Sequence, residues 1–247
     1  NAVPVWNPLQ WDFTVFTDVL DRGVNEELRD VYLRTFAYIG VALGLSFVIG
    51  YPVAYYVSRF GGKRRGLYLG LVLAPFWINY LMRMLAWINL LQEDGYVNDV
   101  LTALHLTAEP INWLEGRAVT VVLGLVYGYL PFLVLPLFAA LDRIDRSVIE
   151  ASRDLGMGPL RTFVRVTLPL SKQGLLAAAV ITALPMMGDY YTADLLSGSP
   201  RTSMIGNQIE FYLFEGSQKN AGAALVVILS ILLMAAIYLK DRGRLPG

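Results

Sequence analysis

Three charged side chains stand inside otherwise apolar sequence. Arg83 lies in PFWINYLMRMLAW, and Asp189 and Asp194 lie in ALPMMGDYYTADLL. An ionisable group at membrane depth costs a few kcal/mol unless it faces protein or water, so these three are candidates for a solute path. Aromatic residues gather near them: Trp77, Tyr80, Trp87, Tyr190 and Tyr191. Rings beside carboxylates can hold a cation both by its charge and over their faces. The competing readings are a structural Arg–carboxylate pair, snorkelling to the interface for Asp194, and an interfacial aromatic belt, preferred for Trp87.

A second constellation is IDRSVIEASRDLGMGPLRTFVRVTLPL, Ile144 to Leu170. The pattern predicts a short helix through Ser147–Leu155 with Val148, Ser152 and Leu155 on one face. Gly156 is suited to stop it, because glycine takes the left-handed C′ conformation cheaply. Pro159 can open the next helix at its first position, and Pro169 is expected to break the pattern before the following apolar stretch. Two short helices around a glycine make a projecting knob with Ala151 and Ser152 at its tip. Such a knob fits a groove in another protein; lying on the membrane surface is the alternative.

The elements that must position these residues are apolar stretches. They run about Tyr32–Val57, Leu67–Leu91, Ala118–Leu141, Gly174–Leu196 and Ala221–Leu239, each near the roughly 20 residues a bilayer-spanning helix needs. Of the 247 residues 55% are hydrophobic and only 16% charged, and mean hydropathy is +0.50, a balance that favours a membrane protein over a soluble core. The expected fold is an all-α, polytopic helical bundle forming one transmembrane domain over residues 1–247, with a long loop at 142–172. Pro52, Pro75, Pro131, Pro136 and Pro185 interrupt the stretches, and Gly40–Gly44 forms a small-xxx-small pair. Single prolines and one GxxxG read as kinks and helix packing; together they point to a bundle built around a pathway.

Basic residues set the orientation. Arg59, Lys63, Arg64 and Arg65 follow the first stretch, and Arg143, Arg146, Arg153, Arg161, Arg165 and Lys172 lie between the third and fourth. Lys240, Arg242 and Arg244 are in the tail, while the alternate segments are acidic. The Lys/Arg bias places the loop and the C-terminus in the cytoplasm. Five spans then put Asn1 outside, which leads to the expectation of a sixth, N-terminal span upstream of Asn1. Between the last two stretches, Met204, Ile205, Ile209, Tyr212 and Leu213 recur at helical spacing, predicting a short helix at the outer surface within Arg201–Phe214. It either caps the pathway or lies in the interface.

Other chemistries lack material. Lys+Arg and Asp+Glu balance at 20 each, so a basic nucleic-acid footprint is missing. The chain has no Cys and a single His, His105, which removes thiolate and histidine metal sites and cysteine nucleophiles. No G-x-x-x-x-G-K-[ST] phosphate loop occurs, and no nucleophile–base set suits a membrane-embedded enzyme.

Glu150-Ala151-Ser152, three residues, Gly156, nine residues, then Val166-Thr167-Leu168-Pro169 resembles the E-A-A-x3-G-x9-I-x-L-P motif of ABC importer permeases. Ser replaces the second Ala and Val replaces Ile. With PFWINYLMR, YLPFLVLPLFAALDRID and MIGNQIEFYLF, the chain from about Val31 to Leu239 resembles the spermidine/putrescine permease subfamily. The resemblance implies the type I importer fold with six spans. It implies that Glu150, Ala151, Ser152, Asp154, Gly156 and Pro169 couple to a separate ATPase, which carries ATP and Mg while this chain binds no cofactor. It also implies two ATPase copies, a second permease subunit and an external solute-binding protein as partners, in the cell membrane. Asp189, Tyr190, Tyr191, Asp194, Trp77, Tyr80 and Arg83 are then the candidate substrate path. A permease for another small solute, a channel and a secondary transporter are the alternatives.

Overall fold

The computed structural model describes residues 14–24, 26–215 and 219–242, and every regular element among them is helical. In chain order these are α1 (Thr14–Val24), α2 (Glu26–Phe60), α3 (Arg65–Leu73), α4 (Tyr80–Leu91), α5 (Tyr96–Ala103) and α6 (Ala118–Asp142). There follow α7 (Arg146–Asp154), α8 (Pro159–Thr162), α9 (Leu168–Met187), α10 (Tyr191–Leu196), α11 (Ile205–Glu210) and α12 (Lys219–Arg242). Leu28–Phe60, Ala118–Asp142 and Pro159–Met187 are each long and apolar enough to cross a membrane. The described part of α12 adds a shorter apolar run, Asn220–Ile231.

The second apolar stretch is not one helix. Gly62–Trp77 and Tyr80–Ala103 meet at 83°. Pro75 tightens Ala74–Trp77 into a 3₁₀ turn, Ile78 and Asn79 are extended, and the Asn79 side chain accepts a hydrogen bond from Leu81 N at 2.9 Å. That side-chain cap satisfies a donor left open at a helix start, so the chain begins a new helix rather than kinking an old one.

The fourth stretch is also displaced. Its helical run starts at Pro159, passes through a π-helical turn at Phe163–Thr167 and ends at Met187; α10 is separate. Pro169 therefore does not break the pattern. It sits in the first turn of α9, just past the widened turn, where a missing N–H costs least.

The chain divides into two compact units. In the unit of residues 37–202, α6 packs chiefly on α9. Apolar on all sides, α6 behaves as a buried helix, and Leu133, Val134, Leu137 and Leu141 join Tyr51, Ala54, Ile144, Ile149 and Ala178 in one core. Small residues set the spacing: a Cβ on Gly174 would fall 2.0 Å from Ala140 Cβ, and one on Gly50 would fall 2.7 Å from Leu133 Cδ2. Gly40 and Gly44, by contrast, have open space where a Cβ would stand, so among the described residues that pair brings no other helix close.

The unit of residues 1–36 and 203–247 has its own core of Val19, Leu28, Ala221, Ala224 and Leu225. The helix expected within Arg201–Phe214 is present as α11 with a π-helical turn at Phe211–Glu215. Ile209 and Tyr212 pack against that core, so much of its apolar side is used within the chain. Thr35 ties it down: its hydroxyl accepts from Ile205 N at 2.9 Å and donates to Val31 O at 2.7 Å.

Candidate functional site

The turn between α9 and α10 carries Asp189, 6% exposed. One carboxylate oxygen accepts from Thr192 N at 3.1 Å, anchoring the start of α10. The other accepts from the Thr192 hydroxyl and from Tyr80 OH, the latter at 3.1 Å. Tyr80 OH and the Thr192 hydroxyl also lie within hydrogen-bond reach of each other, so two hydroxyl protons are shared among three contacts. Burial of a carboxyl group is tolerable only with such partners.

Two glycines of α6 let the partners converge. A Cβ on Gly124 would lie 2.6 Å from Thr192 Cγ2, and one on Gly128 would lie 3.1 Å from the Tyr80 ring. Gly124–Gly128, not Gly40–Gly44, is thus the small-xxx-small pair that brings elements of this chain together.

Around this network opens a cleft of about 520 Å³, lined by Tyr80, Arg83, Tyr129, Asp189, Tyr190 and Tyr191 among others. Tyr190 and Tyr191 stack with ring centroids 4.1 Å apart. Arg83, 8% exposed, lies 4.3 Å from the Phe76 centroid, 5.1 Å from Tyr80 and 5.7 Å from Tyr127. Its Nε and Nη1 are buried without hydrogen-bond partners, and it makes no ion pair among the described residues. The Arg–carboxylate pair is therefore replaced by a guanidinium held over rings, with Tyr80 touching Arg83 by its face and Asp189 by its hydroxyl.

Five of the seven expected path residues thus line one cleft. Trp77 does not: it is 83% exposed at the end of the 3₁₀ turn. Asp194 stands exposed on α10, away from the cleft lining. Tyr129 and Thr192 are additions, along with Phe76 and Tyr127 around Arg83. A tyrosine in an apolar span reads as packing, and only the YGY spacing after Gly124 hinted at a polar wall.

The second constellation folds as a capped helical knob. Asp145 caps α7 by accepting from Ser147 N at 3.0 Å, a hydrogen bond that holds its carboxyl below the usual carboxylate range. Gly156 ends α7 at φ +81°, with Gly156 N donating to Arg153 O and Met157 N to Ser152 O, a Schellman closure. Pro159 opens α8.

The buried face of α7 differs from the expected one. Ile149 and Ser152 point inward, while Val148 and Leu155 are exposed, Leu155 by 81%. Ser152 is not at the tip; its hydroxyl contacts Ile149 O at 2.7 Å and Thr162 Oγ1 at 3.1 Å, latching α7 to α8. Glu150, Ala151 and Asp154 are exposed.

Comparison with known proteins identifies the family and the fold. The family model for the binding-protein-dependent transport system inner membrane component matches residues 46–240. The spermidine/putrescine transport system permease protein PotB of Haemophilus influenzae is 36% identical over 219 residues, covering 89% of this chain and 76% of that protein. Its Escherichia coli namesake is 35% identical over 227 residues, covering 91% and 82%. The inner membrane ABC transporter permease protein YdcU of Escherichia coli is 31% identical, covering 87% and 71%. Among solved structures, a chain of the bacterial alginate ABC transporter in complex with its alginate pentasaccharide-bound periplasmic protein superposes with TM-score 0.75 at 16% identity, covering 94% of this chain and 82% of that one. A chain of the MetNI methionine ABC transporter gives TM-score 0.62 at 24% identity, covering 94% and 97%. These two likenesses concern the fold.

Proposed function

The chain belongs to the family of binding-protein-dependent transport system inner membrane components, as a multi-pass permease subunit of an ABC importer, and from that premise we propose that its cargo is a polyamine of the spermidine/putrescine kind. The observation that carries this is the buried Asp189 carboxylate in the wall of a cleft lined by tyrosine rings. A slim polycation needs spaced anionic and aromatic surfaces rather than a deep apolar pocket. At an effective dielectric of about 20, one ammonium near the carboxylate gains roughly 4 kcal/mol of raw attraction before desolvation, enough for a transient site. Tyr80 and Thr192 hydroxyls can turn to the solute, and Tyr190 and Tyr191 offer π faces.

The names of the relatives from Haemophilus influenzae and Escherichia coli support the same cargo. In this reading Asp194 and Trp77 act at the approach to the cleft rather than in it. The C-terminus and α7 face the cytoplasm. One of two copies of an ATP-hydrolysing subunit docks on α7, a second permease subunit completes the path, and an external binding protein delivers solute. Hydrolysis belongs to the partner and ATP with Mg binds there. The docking flank of α7 is the exposed one, Ala151, Asp154 and Leu155 with Glu150 at its edge, and Ser152, Gly156 and Pro169 shape it from behind.

One observation favours a second reading. The buried Arg83 lines the same cleft with two unpartnered nitrogens, which would suit a solute bearing a carboxylate. Uptake of labelled spermidine into vesicles containing the reconstituted complex separates the two. Asp189→Asn should lower spermidine uptake at least tenfold while the ATPase still co-purifies. Unchanged uptake, or wild-type uptake of a carboxylate solute in place of spermidine, would reject the polyamine path.

A further inference from the structure

Beside α7, away from the solute cleft, a small pocket of about 140 Å³ is lined by Tyr55, Arg59, Phe60, Arg146, Ile149, Glu150 and Arg153. Its charge is unbalanced: three guanidinium groups face one carboxylate, and none of the three makes an ion pair among the described residues. Arg59 is locked in place, Nη1 donating to Ile144 O and Nη2 to Leu141 O at 3.0 Å each, while its Nε is buried without a partner. Arg146 and Arg153 stand exposed beside it, so the fixed Arg59 with its unused donor is better satisfied when an anion joins the three.

The setting says which anion. Arg59 is in the last turn of the apolar run Leu28–Phe60. Rings cluster there, Tyr56 and Phe60 exposed and Tyr55 and Tyr68 half-buried: Phe60 lies 5.7 Å from Tyr56 and 6.4 Å from Tyr55, and Tyr56 lies 6.1 Å from Tyr68. Aromatic side chains grouped at a span end mark the height of lipid headgroups. The pocket thus has basic walls at headgroup level and aromatic walls towards the hydrocarbon. On α7 its residues Arg146, Glu150 and Arg153 follow helical spacing along one flank. Ser147, Ala151 and Asp154 occupy a different flank, so a partner covering those meets the pocket only at Glu150.

We propose that the Arg59–Arg146–Arg153 pocket binds the phosphate of an anionic phospholipid, seating a lipid between the end of α2 and α7. Basic pockets beside membrane helices recognise anionic headgroups in this way. The inference goes beyond the cargo reading and holds for any solute.

The test is native mass spectrometry of the intact transporter titrated with phosphatidylglycerol, with phosphatidylcholine as the neutral control. Phosphatidylglycerol should be retained in preference to phosphatidylcholine. Arg146→Gln with Arg153→Gln should weaken that retention by about thirtyfold, from two lost basic contacts at an anionic surface. The paired Arg→Lys changes should keep most of it, and Lys172→Gln, outside the pocket, should leave it intact. Equal retention of both lipids, or full phosphatidylglycerol retention by the double Gln variant, overturns the proposal. Displacement by inorganic phosphate at matching concentration assigns the pocket to a free anion and overturns the lipid. Crosslinks from the pocket to ATPase carboxylates, with no lipid retained, assign it to the partner protein and overturn it too.

Discussion

Gly156 joins backbone geometry to coupling. Its φ of +81° closes the Schellman motif that ends α7, and a Cβ there would meet nothing within 4 Å. A substitution is therefore penalised by backbone conformation alone, on the order of 1 kcal/mol or more for a β-branched residue. Gly156→Val should leave the protein inserted in the membrane but reshape the knob. ATP hydrolysis by the complex should then proceed without solute uptake, measured side by side in vesicles; normal uptake at normal expression would remove the role given to this loop. Gly156 was legible in the sequence because its signal is local: a helix end, a glycine, then Pro159. Ser152 was not, because its inward rotamer depends on Thr162, ten residues on, and a small polar residue on a short helix suits either face. Ser152→Ala should cost about 1 kcal/mol, the usual worth of a hydrogen bond whose partners stay behind, read as a lower unfolding temperature of the purified complex.

At the level of elements, close approach at small residues decides the packing. Gly174 sits where α9 crosses Ala140 of α6, with no room for a side chain. Gly174→Leu would force those helices apart, beyond the roughly 1–3 kcal/mol typical of overpacking. Loss of folded, detergent-stable protein is the expected result, scored by size-exclusion chromatography; a monodisperse variant would show that the crossing tolerates separation. The long apolar helices were readable from composition, since twenty apolar residues have few other homes. The 83° break was not, because Pro75 reads as a kink and only the Asn79 cap converts it into a corner. Gly40–Gly44 and Gly124–Gly128 look alike as text, and nothing in either says which neighbour arrives. The acidic opening read as an external segment contains α1, whose Val19 joins the core with α12 residues; eleven residues with Asp18 and Asp21 among the apolar ones gave too short a period to announce it.

For the whole molecule, the permease family follows from the spacing of Glu150 to Pro169 and from the comparisons, while the cargo rests on the cleft. The two are separable, since the knob as proposed would serve any importer and Asp189 as proposed only a cationic one. Legibility divides the same way. The coupling motif is contiguous in sequence, whereas the cleft draws Tyr80 from α4, Tyr129 from α6 and Asp189 from the end of α9. Such a site exists only once those helices are packed. The most direct test of the account is accumulation of labelled spermidine in sealed vesicles bearing the complete complex, with loaded binding protein on the side away from the ATPase. Accumulation against a gradient that requires ATP, and falls at least tenfold with Asp189→Asn, is the predicted result. Spermidine movement that proceeds equally without ATP, or ATP-driven accumulation of other solutes with spermidine excluded, would contradict it.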